Sequence, residues 1–265
     1  MSRITDRLKG LETLKKIDNN KSKYLVIHYS SESFFGLGGK SPRITSIAVE
    51  NLEFGQTELF AIYKSAEEMG KTFDEILDHY NEIEKKMLDG YFDYLRNNHN
   101  KIWLHWNMRD SIFGFKALEH RYQVLGGNPF VLSDNQQINI ASLFKELYGS
   151  GYIEDKKMDK LMEKNQLEPK QYLTGAAEAK AFEEGKYYEL SMSTSSKVRM
   201  FTQMVNMAID KTLITNTPEK KLYGKSLLAY WYRFKEKPYF VVIIFIVTNI
   251  ISAIISHFVT KGLGG

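Results

Sequence analysis

Tyr24-Leu-Val-Ile-His-Tyr29 is a short run rich in β-branched and aromatic residues, following the polar pair Asn19-Asn20, and it reads as a buried first strand. Upstream, Ile4, Leu8, Leu11 and Leu14 recur at helical spacing, so a helix precedes it. Downstream, Gly36-Leu-Gly-Gly39 makes a turn; it lacks the Gly-Lys-Ser/Thr ending and following helix of a phosphate loop. Ile44, Ile47 and Val49, then residues 59–63 beyond the Phe54-Gly55 turn, add two strands in a meander. A long helix comes next, with Phe73, Ile76, Leu77, Tyr80, Ile83, Met87, Tyr91 and Leu95 on its apolar face. Lys101-Ile-Trp-Leu-His-Trp106 is a fourth strand, leading through Asn107-Met-Arg-Asp110 into a helix that ends near Gly126-Gly127. This order of elements makes the first half α/β.

After Pro129 the β signal fades, and helices are predicted near residues 138–148, 154–165, 175–184 and 195–213. Thr217-Pro218-Glu219 supplies an N-cap with proline at the first helical position, from which a last helix runs towards the C-terminus. Residues 239–259 then carry no Asp, Glu, Lys or Arg, a length that crosses the hydrocarbon core of a bilayer. Arg233, Lys235 and Lys237 precede this run and only Lys261 follows it, which places the body of the chain on the cytoplasmic side and residues 261–265 outside. Tyr230, Trp231 and Tyr232 form an interfacial aromatic belt, and Pro238 marks the joint. The division expected is an N-terminal helix over 1–20, an α/β body with a helical second half over 21–215, a juxtamembrane helix over 216–238 and a transmembrane helix over 239–260. The location expected is a cell inner membrane, crossed once.

A hydrophobic content of 43% fills a real core, and the absence of cysteine excludes disulfides, thiolate metal sites and a cysteine nucleophile. The formal charge of +4 is too mild to single out nucleic acid, because the basic residues beside the span also suit anionic lipid. The N-terminus carries charges throughout and lacks the apolar core of a secretory signal. Six histidines show no His-x-x-x-His or comparable spacing, so no zinc site and no cofactor is expected.

The densest cluster of chemically capable residues is His105-Trp-Asn-Met-Arg-Asp110, at a strand end, followed by His120 and Arg121. A helix start with free N–H groups beside Arg109 favours an anion such as a phosphate. His105, Asn107, Arg109, Asp110, His120 and Arg121 are therefore the candidate ligand or nucleic-acid contacts; the same residues also read as helix caps and surface ion pairs. Three meander strands, a helix, a fourth strand running into Asn107-x-x-Asp110 and a late helix resemble the RNase H-like fold of the DEDD-type 3′ to 5′ exonucleases. That resemblance implies a mixed sheet with helices and a two-metal site held by an Asp-x-Glu pair on the first strand and further acids on later elements. Here the first-strand positions read His28 and Ser30, and the late helix, Ser195-Ser-Lys-Val-Arg-Met-Phe, offers no acid before Asp210. Glu32 and Asp110 alone leave two metals short of ligands, so no catalytic or metal-binding residue is assigned.

The expected protein is an inactive nuclease-like domain that binds a nucleic acid, a nucleotide or a protein partner, with Arg109, Arg121 and Arg199 meeting phosphates and Trp103, Trp106 or Phe113 stacking on bases. Asn249, Ser252 and Ser256 share one face of the span, which favours self-association into a homo-oligomer within the lipid bilayer. By analogy of plan, such a chain suits an effector of bacterial antiviral defence whose clustered helices perturb the membrane. A membrane-tethered metal-dependent nuclease and a passive membrane adaptor are the alternatives.

Overall fold

Each residue of β1 (Tyr24–Ser31) except the last is buried, because this strand lies in the middle of a five-stranded sheet ordered β3-β2-β1-β4-β5 and covered on both faces. The structure, a computed structural model, describes residues 2–33, 38, 40–108, 113–235 and 237–262. β2 (Ile44–Asn51) and β3 (Thr57–Ala61) complete an antiparallel meander with β1, Ile27 opposite Val49 and Ala48 opposite Leu59. β4 (Ile102–His105) and β5 (Gln137–Asn139) run parallel to β1 on its other side, with Ile27 beside His105 and Trp103 beside Gln137. The meander followed by two parallel strands is the mixed sheet of an RNase H-like fold, as the sequence led us to expect.

The two faces of β1 serve two cores. Leu25, Ile27 and Tyr29 pack with α2 (Ile62–Glu68), α3 (Tyr80–Asn97) and α4 (Phe115–Val124) through Ile62, Ile83, Leu88, Tyr91 and Leu118. Tyr24 and Val26 pack with α1 (Arg3–Asp18), α5 (Ile140–Tyr148) and α8 (Tyr187–Ile209) through Leu14, Ile17, Phe144, Phe201 and Val205. A sheet alternates its side chains, so residues 24, 26, 28 and 30 look towards α8 and the odd positions look away. α1 belongs to this core through Leu14 and Ile17. α7 (Gly175–Glu183) packs on α8, and α6 (Lys157–Lys164) joins the second core through Leu161.

Several boundaries differ from the sequence reading. The long helix expected from Phe73 begins only at Tyr80, because Glu75 Oε2 accepts both the Thr72 N–H and its hydroxyl at 2.8 Å and closes a short 3-10 turn over Phe73–Glu75. Phe73 and Leu77 are left exposed. β5 has three half-exposed residues and no apolar run, which hid it from a periodicity search. Residues 187–194 extend α8 well ahead of residue 195, since their serines and threonines send hydroxyls back to carbonyls one turn earlier, Ser191 to Tyr187 at 2.8 Å and Thr194 to Leu190 at 2.9 Å. Pro218 heads only a 3-10 turn, Glu219–Lys221; after Gly224, at φ +85°, a separate helix α9 (Leu227–Lys235) starts with Ser226 Oγ accepting the Ala229 N–H at 3.1 Å.

The chain's last element is α10 (Phe240–Gly262), starting two residues after Pro238. Its stretch Phe240–His257 is long and apolar enough to cross a membrane, and none of it is buried in the protein. At about 1.5 Å per residue the helix reaches about 34 Å, which exceeds the roughly 30 Å hydrocarbon layer of a bilayer.

Candidate binding site at the end of the central strand

The side chains of His28 and Ser30 emerge beneath α8, where β1 leaves the sheet, and they line a cavity of about 620 Å³ with Trp106, Asn107, Phe113, Glu178 and Lys197. Aromatic rings form part of its wall, beside the small and aliphatic residues Met158, Gly175, Ala176 and Ala179. The His28 ring meets Phe201 edge-on at 5.6 Å and Phe113 at 5.9 Å, while Trp106 stacks on Phe201 at 5.5 Å with the planes 6° apart. Phe113 stacks in turn on Tyr29 at 4.5 Å.

Into this apolar setting α8 carries the ammonium of Lys197, whose residue is 2% exposed. Its Nζ pairs with Glu178 Oε1 at 2.6 Å and lies 5.4 Å from the centroid of Tyr172. Glu178 stands in the first turn of α7, where the helix dipole favours a carboxylate, and its Oε1 also accepts the Ser193 hydroxyl at 2.9 Å. Ser193 Oγ accepts the Leu173 N–H at 3.1 Å, so the pair is held from three elements. Two ions taken out of water are tolerable only when matched and hydrogen-bonded in this way.

His28 Nδ1 and Ser30 Oγ are buried polar atoms with no hydrogen-bond partner among the described residues. Burial first, and the charge of Lys197 second, hold the His28 imidazole well below its ordinary pKa of 6.5, so at neutral pH the ring is uncharged. The cavity thus offers a neutral imidazole, a hydroxyl and two carboxylates, Glu178 and Glu32, each paired with a cation, beside aromatic rings. These groups suit an uncharged, flat, hydrogen-bonding ligand. They do not suit a divalent cation, which would meet the Lys197 ammonium and no pair of acids on β1. Among the described residues no group of three or more His, Asp or Glu side chains is gathered as a metal site requires. The Glu32 carboxylate is already engaged by Arg43, whose backbone N–H, Nε and Nη2 reach it at 2.7, 2.9 and 2.8 Å.

The residues grouped by the sequence around 105–121 are dispersed by the fold. His105 is buried on the sheet face away from α8, edge-on to Phe115, and its Nδ1 accepts the Met108 N–H at 3.1 Å. Asn107 lines the cavity; at φ 54° its backbone N–H donates to Asn139 Oδ1, and its own Oδ1 accepts from Asn139 Nδ2, both at 3.2 Å. Arg109 and Asp110 lie outside the described residues, as does most of the 36–39 turn. The helix expected directly after Asp110 starts at Phe115 with Gly114 as its cap, and Gly114 gives its N–H to the Tyr29 hydroxyl at 3.0 Å.

His120 is exposed and lines a second, polar cleft of about 800 Å³ with Lys40, Arg43, His79 and Arg121. The Arg121 guanidinium, expected to meet a phosphate, lines this cleft while most of its donors are directed at one buried carboxylate. Its Nε lies 3.0 Å from both oxygens of the fully buried Glu84, and Nη2 bonds Glu84 Oε2 at 2.5 Å and Asn81 Oδ1 at 2.7 Å. Glu84 also accepts the Ile44 N–H at 2.7 Å, tying α3, α4 and β2 together. Trp103 and Trp106 are both core residues, and Arg199 is exposed, 4.0 Å from Glu50. In α10, Asn249 Nδ2 donates to the Phe245 carbonyl at 2.7 Å and the Thr248 hydroxyl to Ile244 and Phe245 at 2.9 Å. Ser252 and Ser256 follow Asn249 at helical spacing on the exposed helix.

Lys197, Glu178 and Glu84 were not singled out by the sequence reading. Lys197 and Glu84 do leave a trace there, each being a charge inside an apolar stripe: Thr194, Lys197, Val198, Phe201 and Val205, and Tyr80, Glu84, Met87 and Tyr91. Glu178, on a short and mostly exposed helix, leaves none.

No protein-family model and no curated protein matches the chain. Among solved structures, the Aedes aegypti Nibbler EXO domain is similar, with a TM-score of 0.31 and 10% sequence identity, over 78% of this chain and 92% of that one. So loose a likeness transfers no residue role.

Proposed function

We propose that the chain is a membrane-anchored binding protein whose nuclease-like cavity receives the base of a nucleotide or of a nucleic-acid end and does not cut it. The observation that carries this reading is the character of the cavity at the end of β1: His28 and Ser30 stand on the first strand with buried, unpartnered polar atoms, and Lys197 faces them from α8. A neutral hydrogen-bonding edge beside the rings of Trp106 and Phe113 fits a base, whose hydrogen-bonding groups would satisfy Nδ1 and Oγ. α10 is the anchor, crossing the bilayer once with the domain on the cytoplasmic side. Ligand binding gathers the domains, the helices associate through Asn249, Ser252 and Ser256, and the assembly perturbs the membrane, as an effector of antiviral defence would.

The test is direct. Full-length protein in lipid nanodiscs is incubated with labelled single-stranded DNA and RNA and with mononucleotides, with Mg²⁺ or Mn²⁺ or with EDTA. Binding that persists in EDTA, weakens in Ser30→Val and Lys197→Met, and leaves the strand full-length supports the reading. Metal-dependent shortening that disappears in Asp110→Ala would overturn it in favour of a tethered nuclease.

A further inference from the structure

α9 has two dissimilar faces. Ala229 is fully buried and Tyr232 half-buried where the helix packs on Ile4, Leu8 and Tyr223, so α9 is fixed to α1 and hence to the sheet's second core. Tyr232 stacks on Tyr223 at 6.1 Å, and the Arg7 guanidinium lies 4.7 Å from the Tyr223 ring. The opposite face carries Leu227, Trp231 and Phe234, at separations of four and three residues; Leu227 and Trp231 are exposed and Phe234 is half-buried against Tyr239 and Phe240. Leu227 is 90% exposed. Residues of this size in one stripe are costly to leave in water.

The stripe is continuous with the anchor. Trp231 and Phe234 meet Phe240, the first residue of α10, at 6.0 and 5.4 Å, and Phe234 meets Tyr239 at 6.1 Å. Basic residues border it: Lys235 lies over Trp231 at 5.1 Å and Arg233 over Tyr230 at 5.6 Å. Residues 218–238 hold six Lys or Arg against two Glu. An apolar stripe edged with cations and leading directly into an apolar helix that the protein leaves uncovered is matched by an anionic membrane surface.

We infer that α9 is an interfacial helix that seats the Leu227-Trp231-Phe234 stripe at the boundary of headgroups and acyl chains of anionic lipid, and so docks the domain on the bilayer with the α1 side towards the membrane. This rests on α10 spanning the bilayer. The domain is then held at a set orientation, with α9 as the plate between the core and the lipid.

Since the sequence has no cysteine, a single introduced thiol carries one nitroxide label without background. Full-length Leu227→Cys and Trp231→Cys are reconstituted in phosphatidylcholine vesicles with and without phosphatidylglycerol, beside Asp155→Cys as the aqueous reference and Ile250→Cys as the lipid reference. The expected result in the mixed vesicles is an oxygen-to-nickel accessibility ratio for labels 227 and 231 several-fold above that of label 155, falling when phosphatidylglycerol is omitted. A ratio equal to that of label 155 overturns the inference. Low access to both reagents with dipolar broadening between labels overturns it too, since a second copy then covers the face. An unchanged ratio in phosphatidylcholine alone removes the anionic-lipid requirement. If label 250 itself reads as aqueous, the span fails and this inference falls with it, a result distinct from a dry label 250 beside a wet label 227.

Discussion

His28 sets the sign of one pH dependence. Burial and, after it, the Lys197 charge lower its folded pKa well below 6.5, while the unfolded chain keeps the ordinary value. The unfolded state therefore binds the extra proton, so the stabilisation is complete above the unfolded pKa and is lost as pH falls through 6.5 towards the folded value. Chemical denaturation at pH 7.5 and at pH 5.5, within about a unit either side of the ordinary imidazole value, should show a loss on acidification that His28→Leu reduces. Glu84 acts oppositely: burial, outweighing its bonds to Arg121, raises its pKa above 4.5, so its contribution is present below 4.5 and lost as pH rises through the folded value. Its pair with Arg121 gives a second expectation. Arg121→Ala should cost about 3–5 kcal/mol by stranding a buried carboxylate, whereas Arg121→Met with Glu84→Leu together should cost far less. A double variant that folds and binds the same ligand as the parent would also separate Arg121 from ligand contact.

At the scale of the element, α8 and α10 show how a helix's surroundings assign its polar groups. In α8 the hydroxyls of Ser191 and Thr194 and the ammonium of Lys197 are enclosed, so each has a named acceptor. In α10 the Asn249 amide bonds back to the Phe245 carbonyl, which takes up one of its two N–H donors within the helix and leaves its carbonyl oxygen able to accept from another chain. One interhelical contact of that kind contributes about 0.6–2 kcal/mol, too little to hold a pair alone. Replacing Asn249, Ser252 and Ser256 together by leucine should preserve insertion, because apolarity rises, and should abolish crosslinked oligomers and any dye entry into cells. A triple variant that inserts normally and still depolarises cells as the parent does would remove the stripe from the mechanism.

For the whole molecule, the two cores and the α9 packing make one body joined to one apolar helix. Full-length protein should resist extraction by high salt and by carbonate. A chain ended at residue 238, retaining α9 but not α10, should float with anionic vesicles and be released by salt, because its remaining attraction is electrostatic plus a short apolar stripe. Flotation measured at low and high salt checks both; salt-resistant flotation of the shortened chain would contradict the division of labour between the two helices.

Much of this was legible in the sequence because it depends on local pattern. The 24–29 run reads as a buried strand since alternating faces both had to be apolar, and a helix over 239–259 long and apolar enough to cross a membrane follows from length and missing charge alone. The identities of His28 and Ser30 already spoke against an acid pair on the first strand. What only the tertiary structure decided was which distant groups meet. Proximity in sequence joined His105, His120 and Arg121, yet β4 turns His105 to one side, α4 leaves His120 in water, and Glu84 claims Arg121. Sheet alternation and the crossing of α8 over β1 instead brought together His28, Ser30 and Lys197, with Glu178 supplied by α7. A side chain's partner across the core depends on the direction and register of elements more than 100 residues apart, about which local periodicity carries no information.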